Sequence, residues 1–245
     1  MTTEPKQQKS VSIMNIADEL NTLLKANGAD LVGFADLCEI APETHGGLPF
    51  GVSIGVALNP QVISEIRDGP TKRYYEEYQR ANNLLDTLGD QATQFIRDQG
   101  HQAKWFAATN ADIDPATLST RLPHNTAATQ AGLGWIGKCA LLVTKDFGSA
   151  IRITTVLTDA GLPANEPVNK SMCGNCTSCV DACPGNAISG KDWQTGFQRD
   201  FLYDAFACRR TAQQFSATRE GIRDNICGIC INVCPWTQQY INLSR

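Results

Sequence analysis

The chain has 245 residues, 42% of them hydrophobic and 19% charged, with a formal net charge of −4. That make-up suits one globular domain, or one domain with a small appendage; the acidic balance argues against a protein built mainly to grip nucleic acid, which carries a basic footprint. No stretch reaches the roughly 18 consecutive apolar residues of a membrane span, and the polar start "MTTEPKQQKS" lacks the apolar core of a signal peptide, so a cytoplasmic location and no membrane partner are expected.

Residues 1–10 read as a disordered tail. Over 11–27, Ile13, Ile16, Leu20, Leu23 and Leu24 recur at helical spacing and "NG" closes the segment, which predicts a helix with one apolar face. "DLVGFADL" (30–37) and "FGVSIGVAL" (50–58) are short, apolar and glycine-punctuated, as buried strands are, with "APETHGGLP" as a loop between them. Residues 70–100 make a long helical stretch, expected to be interrupted near Gly89 and stopped by Gly100. "AKWFAAT" (103–109) reads as a strand, 111–126 as an irregular segment with two prolines, and 126–131 as a helix running into "GLGWIGK". "ALLVT" (140–144) and "IRITTVLT" (151–158) read as strands joined in a hairpin by "KDFGS". The proline-, glycine- and asparagine-rich 159–171 is a linker. The fold class is therefore α+β, without the strict alternation of a doubly wound sheet: a cofactor or substrate domain over 11–162, then a cysteine-dominated domain over 163–245.

Ten cysteines in a chain expected in the cytoplasm point to metal or cluster binding rather than disulfides. Cys38 and Cys139 stand apart from the rest and read as buried small hydrophobes. Cys173, Cys176, Cys179 and Cys183, followed by Pro184, match C-x2-C-x2-C-x3-C-P, the bacterial ferredoxin run. The first three thiolates wrap one cubane. The fourth lies in a turn expected to start a helix at Pro184 and ligates the other cluster. A second run, Cys227, Cys230 and Cys234 before Pro235, lacks one ligand, and Cys208 is the cysteine left in this half. One set is then Cys173, Cys176, Cys179 and Cys234; the other is Cys183, Cys208, Cys227 and Cys230. Zinc is the rival, but four cysteines within eleven residues and two Cys-Pro endings suit two [4Fe–4S] clusters better.

"AGLGWIGKCALLVTKDFGSAIRITTVLTDAGLP" (131–163), the two cysteine runs and "CPW" together resemble the corrinoid-dependent iron–sulfur reductases, that is, the epoxyqueuosine reductases and, more distantly, the reductive dehalogenases. The match covers roughly 120–240; the ordered combination is specific, whereas G-L-G-W-x-G-K alone is weak. The resemblance implies a nitroreductase-like, corrinoid-binding-type domain followed by a bacterial ferredoxin-like two-cluster domain. The clusters would pass single electrons to cobalamin, drawn from a low-potential donor of the ferredoxin or flavodoxin type. Carried onto this chain, it makes Gly132, Gly134, Trp135, Gly137 and Lys138 candidates for lining the corrinoid pocket, with Gly148 and Ser149 on the adjoining turn. The glycines equally suit a tight turn and close packing.

The family's proton-donating aspartate falls, by ungapped count, near Leu118, which cannot donate. His124, Asp112 and Asp114 are the nearby candidates. His45 reads as part of a solvated loop, and Tyr74, Tyr75, Tyr78 and Arg73 receive no role. Epoxyqueuosine reductases carry a helical repeat region after the clusters that helps hold tRNA. None follows "CPWTQQYI", which makes this chain a short form and, with its acidic balance, makes tRNA a doubtful partner. The substrate, a small molecule or a modified nucleoside, is left unidentified. Two other functions suit the same residues: an electron-transfer protein whose N-terminal domain docks a partner and binds no corrinoid, and an activator that reduces the corrinoid of another protein.

Overall fold

The computed structural model describes residues 5–109 and 113–244, with side chains inside the first helix described from Ile16. That helix, α1 (Pro5–Ala26), starts inside the stretch read as a tail. A proline at a first helical position loses no hydrogen bond, because its N–H has no partner there. Ile16, Leu20 and Leu24 are buried, as the helical period requires; the side chain of Ile13 lies outside the described residues. At the far end Gly28 takes φ of 102°, and Ala29 N–H closes the helix on the Leu24 carbonyl at 3.0 Å.

Next come β1 (Leu31–Asp36), α2 (Pro42–His45), β2 (Phe50–Ala57), α3 (Pro60–Ser64), α4 (Lys72–Asp98) and β3 (Ala103–Phe106). They are followed by α5 (His124–Gln130), β4 (Trp135–Ile136), β5 (Leu142–Val143) and β6 (Ile151–Thr158). Four strands make one antiparallel sheet in the order β1-β2-β6-β3, with Leu31 opposite Gly55, Phe50 opposite Thr158, and Ala103 also opposite Thr158. Successive side chains of a strand face opposite sides, and β6 divides accordingly. Arg152 reaches Asn82 of α4 and Val156 enters the core beneath α4. On the other side Ile153 meets Ala128, and Thr155 meets His124, both on α5. The sheet is thus a layer between α4 and α5, which explains why β6 reads as an almost unbroken apolar and β-branched run.

Three expectations are corrected. Helix α4 runs through Gly89 without a break: a side chain there would meet Trp105 atoms at 3.2–3.3 Å, so glycine lets the helix settle onto β3. The segment 140–144 does not form a hairpin with β6; β5 pairs with β4, and β6 lies between β2 and β3. Burying both edges of β6 in the large sheet leaves it no edge for β5. Cys38, read as buried, is exposed, because it falls just past the end of β1, where the chain leaves the sheet.

The cysteine-bearing half contains α6 (Ser178–Asp181), a 3₁₀ turn at Arg199–Phe201, α7 (Ala205–Thr218), α8 (Ile229–Asn232) and α9 (Pro235–Leu243). It is built into the core of the first half. Ile222, Ile226, Ile231 and Ile241 belong to the same apolar cluster as Leu20, Ile63 and Leu88. Asn232 donates Nδ2–H to the Ile63 carbonyl at 2.7 Å and Tyr240 donates its hydroxyl to Leu58 O at 3.1 Å, which holds α8 and α9 against α3 and the end of β2. Among the described residues no helix is long and apolar enough to cross a membrane.

Candidate iron–sulfur and cofactor site

Cys173, Cys176 and Cys179 lie in a tight turn that becomes α6, where Cys176 N–H donates to Cys173 O at 3.2 Å. Cys234 arrives from the other run as the residue that caps α9. These four thiols line one cavity of about 210 Å³, together with Lys138, Cys139, Val143, Pro235 and Trp236. Among the described residues no three His, Cys, Asp or Glu side chains converge closely enough to hold a single metal ion. A zinc ion draws four ligands to about 2.0–2.3 Å from one point, whereas thiols spread round a cavity suit a bulkier group. A further feature fits a sulfide-bearing cluster. Trp135 Nε1–H is buried without a partner among the described residues, amid the side chains packed round Cys139, Val143 and Cys234. Acceptor sulfur nearby would satisfy it.

Of the other set, Cys208 stands on α7, Cys227 just before α8 and Cys230 within it, while Cys183 follows α6. Cys183, Cys208 and Cys227 are near enough for their charges to act on one another, and Tyr203 feels both Cys208 and Cys230. Burial pushes the thiols of Cys227 and Cys234 upward. Cys208 is exposed as a residue, yet desolvation of its thiol carries it to about 11. Such thiols hold their protons until a metal displaces them. Cys139, as expected, is buried; its thiol lies beside Cys179 of one set and Cys230 of the other. Pro184 does not start a helix. It enters a turn in which Asn186 takes φ of 47° and Ala187 N–H donates to Cys183 Sγ at 3.4 Å. Only the second Cys-Pro opens a helix, α9.

The G-L-G-W-x-G-K turn packs directly on the first thiol set. A side chain at Gly134 would lie 2.1 Å from Val143 O, and one at Gly137 would meet Val143 Cγ2 at 2.7 Å and Cys173 Sγ at 3.6 Å. Gly132, at φ 71°, abuts Glu166 O. Trp135 meets Trp236 edge-on at 5.1 Å. Lys138 is buried, donates Nζ–H to Gly174 O at 2.6 Å and stands 3.9 Å from Asp192. Gly148, at φ 56°, lies against the start of α9, where Ser149 N–H donates to Thr237 Oγ1 at 3.0 Å. Six of the seven gather behind the first thiol set and α9, while Gly132 abuts the linker at Glu166.

A separate groove of about 540 Å³ runs between the two halves. Tyr78, Ile113 and Leu118 form one wall; Tyr203, Cys208 and Asp224 form the other. It adjoins a second hollow of about 420 Å³ through shared Ile113, Leu118 and Tyr203, which Ile136 and Ala140 from the glycine-rich turn also line. Ile113 and Phe197 leave large apolar surfaces at the rim, 45% and 37% exposed. Of the proton-donor candidates, His124 accepts at Nδ1 from Thr155 Oγ1 (2.9 Å) and donates from Nε2 to Ala107 O (3.0 Å). The carbonyl cannot donate, which assigns the proton to Nε2. Burial lowers the His124 pKa, against the opposing pull of the Ala107 carbonyl. Asp114 accepts from Ala116 N–H at 2.9 Å and Thr117 Oγ1 at 3.0 Å, capping its own turn. Asp112 lies outside the described residues. From sequence Tyr78 receives no role and Tyr203 and Asp224 are not singled out: no motif marks them, and they meet only through folding.

Residues 172–237 match the 4Fe-4S double cluster binding domain family. Over 202 residues the chain is 31% identical to an epoxyqueuosine reductase of Synechococcus sp. (strain RCC307), covering 78% of this chain and 56% of that protein. A stretch of 121 residues is 36% identical to the epoxyqueuosine reductase of Cyclobacterium marinum, 45% of this chain and 36% of the relative. The chain thus spans about half the length of the curated relatives it matches over most of its own length. Among solved structures, a catabolic reductive dehalogenase in complex with 3-bromo-4-hydroxybenzoic acid matches with a TM-score of 0.69 at 19% identity, over 92% of this chain and 33% of its own. The epoxyqueuosine reductase of Streptococcus thermophilus gives 0.59 at 18% identity, over 92% and 67%. This chain is therefore epoxyqueuosine reductase-like: it shares the fold of those enzymes and of the reductive dehalogenases, and carries a 4Fe-4S double cluster binding domain.

Proposed function

We propose that this protein is an iron–sulfur reductase that passes single electrons through two [4Fe–4S] clusters to a cobalamin-type cofactor, for the reduction of a bound substrate. Cys173, Cys176, Cys179 and Cys234 hold one cluster; Cys183, Cys208, Cys227 and Cys230 hold the other. The observation that carries this reading is the groove between the halves, which has a candidate cluster ligand, Cys208, in its wall. A carrier that only docks a partner has no need of a deep hollow beside its cluster. In support, one solved reductive dehalogenase is described as B12-dependent.

When bound, the clusters and the corrinoid supply the redox chemistry; the chain binds, orients and shields. The apolar rim of Ile113, Leu118 and Phe197 fits the face of a macrocycle, and the glycine-rich turn presents Ile136 and Ala140 to it. Gly132, Gly134, Trp135, Gly137, Lys138, Gly148 and Ser149 act from behind, keeping the first cluster loop and α9 in place. Asp114, between groove residues Ile113 and Pro115, is the described carboxylate candidate for the proton donor, and the phenols of Tyr78 and Tyr203 face the same groove. One solved epoxyqueuosine reductase carries a tRNA stem loop, so a modified nucleoside within RNA stands beside small molecules as a substrate class to test.

The test is anaerobic purification with cluster reconstitution, followed by titration with cobalamin while its visible spectrum is recorded. About eight irons per chain and saturable cobalamin binding are expected. Eight irons with no binding would leave an electron carrier or an activator. An iron content that never exceeds about four would remove the two-cluster assignment.

A further inference from the structure

On the α5 side of the sheet a cavity of about 510 Å³, sharing no lining residue with the first thiol set or the groove, opens between β3, β6, the end of α2 and the approach to α5. Its apolar floor includes Phe106 and Leu157, and its polar lining includes three basic side chains, His45, Lys104 and Arg121. No Asp or Glu lines it among the described residues. His45 was read from sequence as part of a solvated loop. Instead it is 6% exposed, and its Nδ1 is buried with no hydrogen-bond partner among the described residues. Arg121 has no hydrogen-bond or ion-pair partner among the described residues. Lys104 meets only the face of Phe106, with Nζ 5.1 Å from the ring centroid.

Several basic groups elsewhere are paired. Arg80 is matched by Glu77 and Arg73 by Glu65, while Lys138 and Arg199 are bound to carbonyls. A hollow of ligand size with an apolar floor and a few convergent polar groups is the usual form of a small-molecule site. Uncompensated cations round it select for negative charge. We infer that this cavity binds an organic anion, a phosphate or carboxylate head with an apolar or aromatic body, whose head is taken by Lys104 and Arg121. The buried Nδ1 of His45 supplies a further hydrogen-bonding group, and the body lies on Phe106 and Leu157.

Two sources carry that chemistry: an anionic arm of the cofactor held in the neighbouring groove, or an independent small molecule. The site itself stands whether or not the groove takes a corrinoid.

The probe is phenyl phosphate, titrated calorimetrically into the cluster-loaded protein. Saturable binding is expected, weakened tenfold or more in the double variant Lys104→Gln/Arg121→Gln; both residues are exposed at the surface, so the fold should tolerate the change. Repeating the titration with cobalamin in excess separates the sources. Loss of phenyl phosphate binding identifies the cofactor's phosphodiester arm as the anion, and unchanged binding identifies an independent ligand. No saturable binding at millimolar phenyl phosphate, or equal binding by the double variant, would overturn the inference.

Discussion

The two cysteine runs are nearly the same string, yet the chain builds unlike surroundings from them. Cys234 is buried at the head of a nine-residue helix. Its thiol set is backed by Trp135, Val143, Trp236 and the buried ammonium of Lys138. Cys183 leads into a turn instead of a helix, and Cys208, the outlying member of its set, is exposed on α7 in the wall of the groove. A motif therefore sets which thiols face one another locally, while the surrounding packing decides whether solvent and large ligands reach them. The difference rests on one member of each set: Cys234 is buried, whereas Cys208 is exposed and lines the groove proposed for the cofactor.

Removing the buried ligand should have the largest effect. Cys234→Ala should bring iron from about eight to about four per chain, with one paramagnetic signal lost; an unchanged iron count would break the comparison at its root. Gly148→Ala acts on the same site through the backbone. Its Cβ would lie 2.2 Å from Thr237 N at a φ of 56°, which should cost about 3 kcal/mol in denaturant unfolding and loosen α9 behind Cys234. If that variant lost the second cluster before the first, the link between α9 and the first site would fail. Cys208→Ala should degrade the second cluster and leave the first, so iron should settle near four while unfolding stability falls less than in Gly148→Ala. Iron and spectrum both matching wild type would remove Cys208 from the ligand set.

Charge sharpens the same contrast. Lys138 places a cation, 7% exposed in its side chain, beside the first site, and such a charge favours the more negative, reduced state of whatever the thiols hold. Lys138→Met should shift one of the two reduction potentials downward in a spectroscopic titration and leave the other in place. A shift in both would mean that the sites share one electrostatic environment.

His124 belongs to neither site and serves as a control. His124→Gln should cost about 1–2 kcal/mol through its lost partners and leave both clusters loaded. Its pKa lies below the ordinary 6.5 because burial disfavours the charged ring. The unfolded chain then binds the extra proton first as pH falls, so this contribution is intact above about pH 6.5 and is lost toward the lower folded value. The variant should flatten that part of the stability–pH profile; an unaltered slope would take the effect away from His124.

What the sequence determined by itself was local in origin. Three thiolates at steps of three need only one turn of chain to surround a cubane, so "CGNCTSC" was readable without any knowledge of the fold. The apolar period of α1 and the short apolar or β-branched runs of β2 and β6 likewise predicted their own elements, because a helix or strand face is set by neighbours within a few residues.

What only the tertiary structure decided depends on which distant surfaces meet. Gly89 reads as a breaker until Trp105 is packed against it, and β5 reads as the partner of β6 until β2 and β3 occupy both edges of that strand. Pro184 and Pro235 follow the same dipeptide pattern, but α9 has α3 to lie against whereas the chain after Cys183 turns back on itself. His124 had the chemistry of a donor in the sequence; folding engaged both its nitrogens. His45, by contrast, left a loop reading for a buried place with an open nitrogen. Hydrogen-bond partners and the second wall of a cavity come from residues dozens of positions away, and no local spacing encodes them.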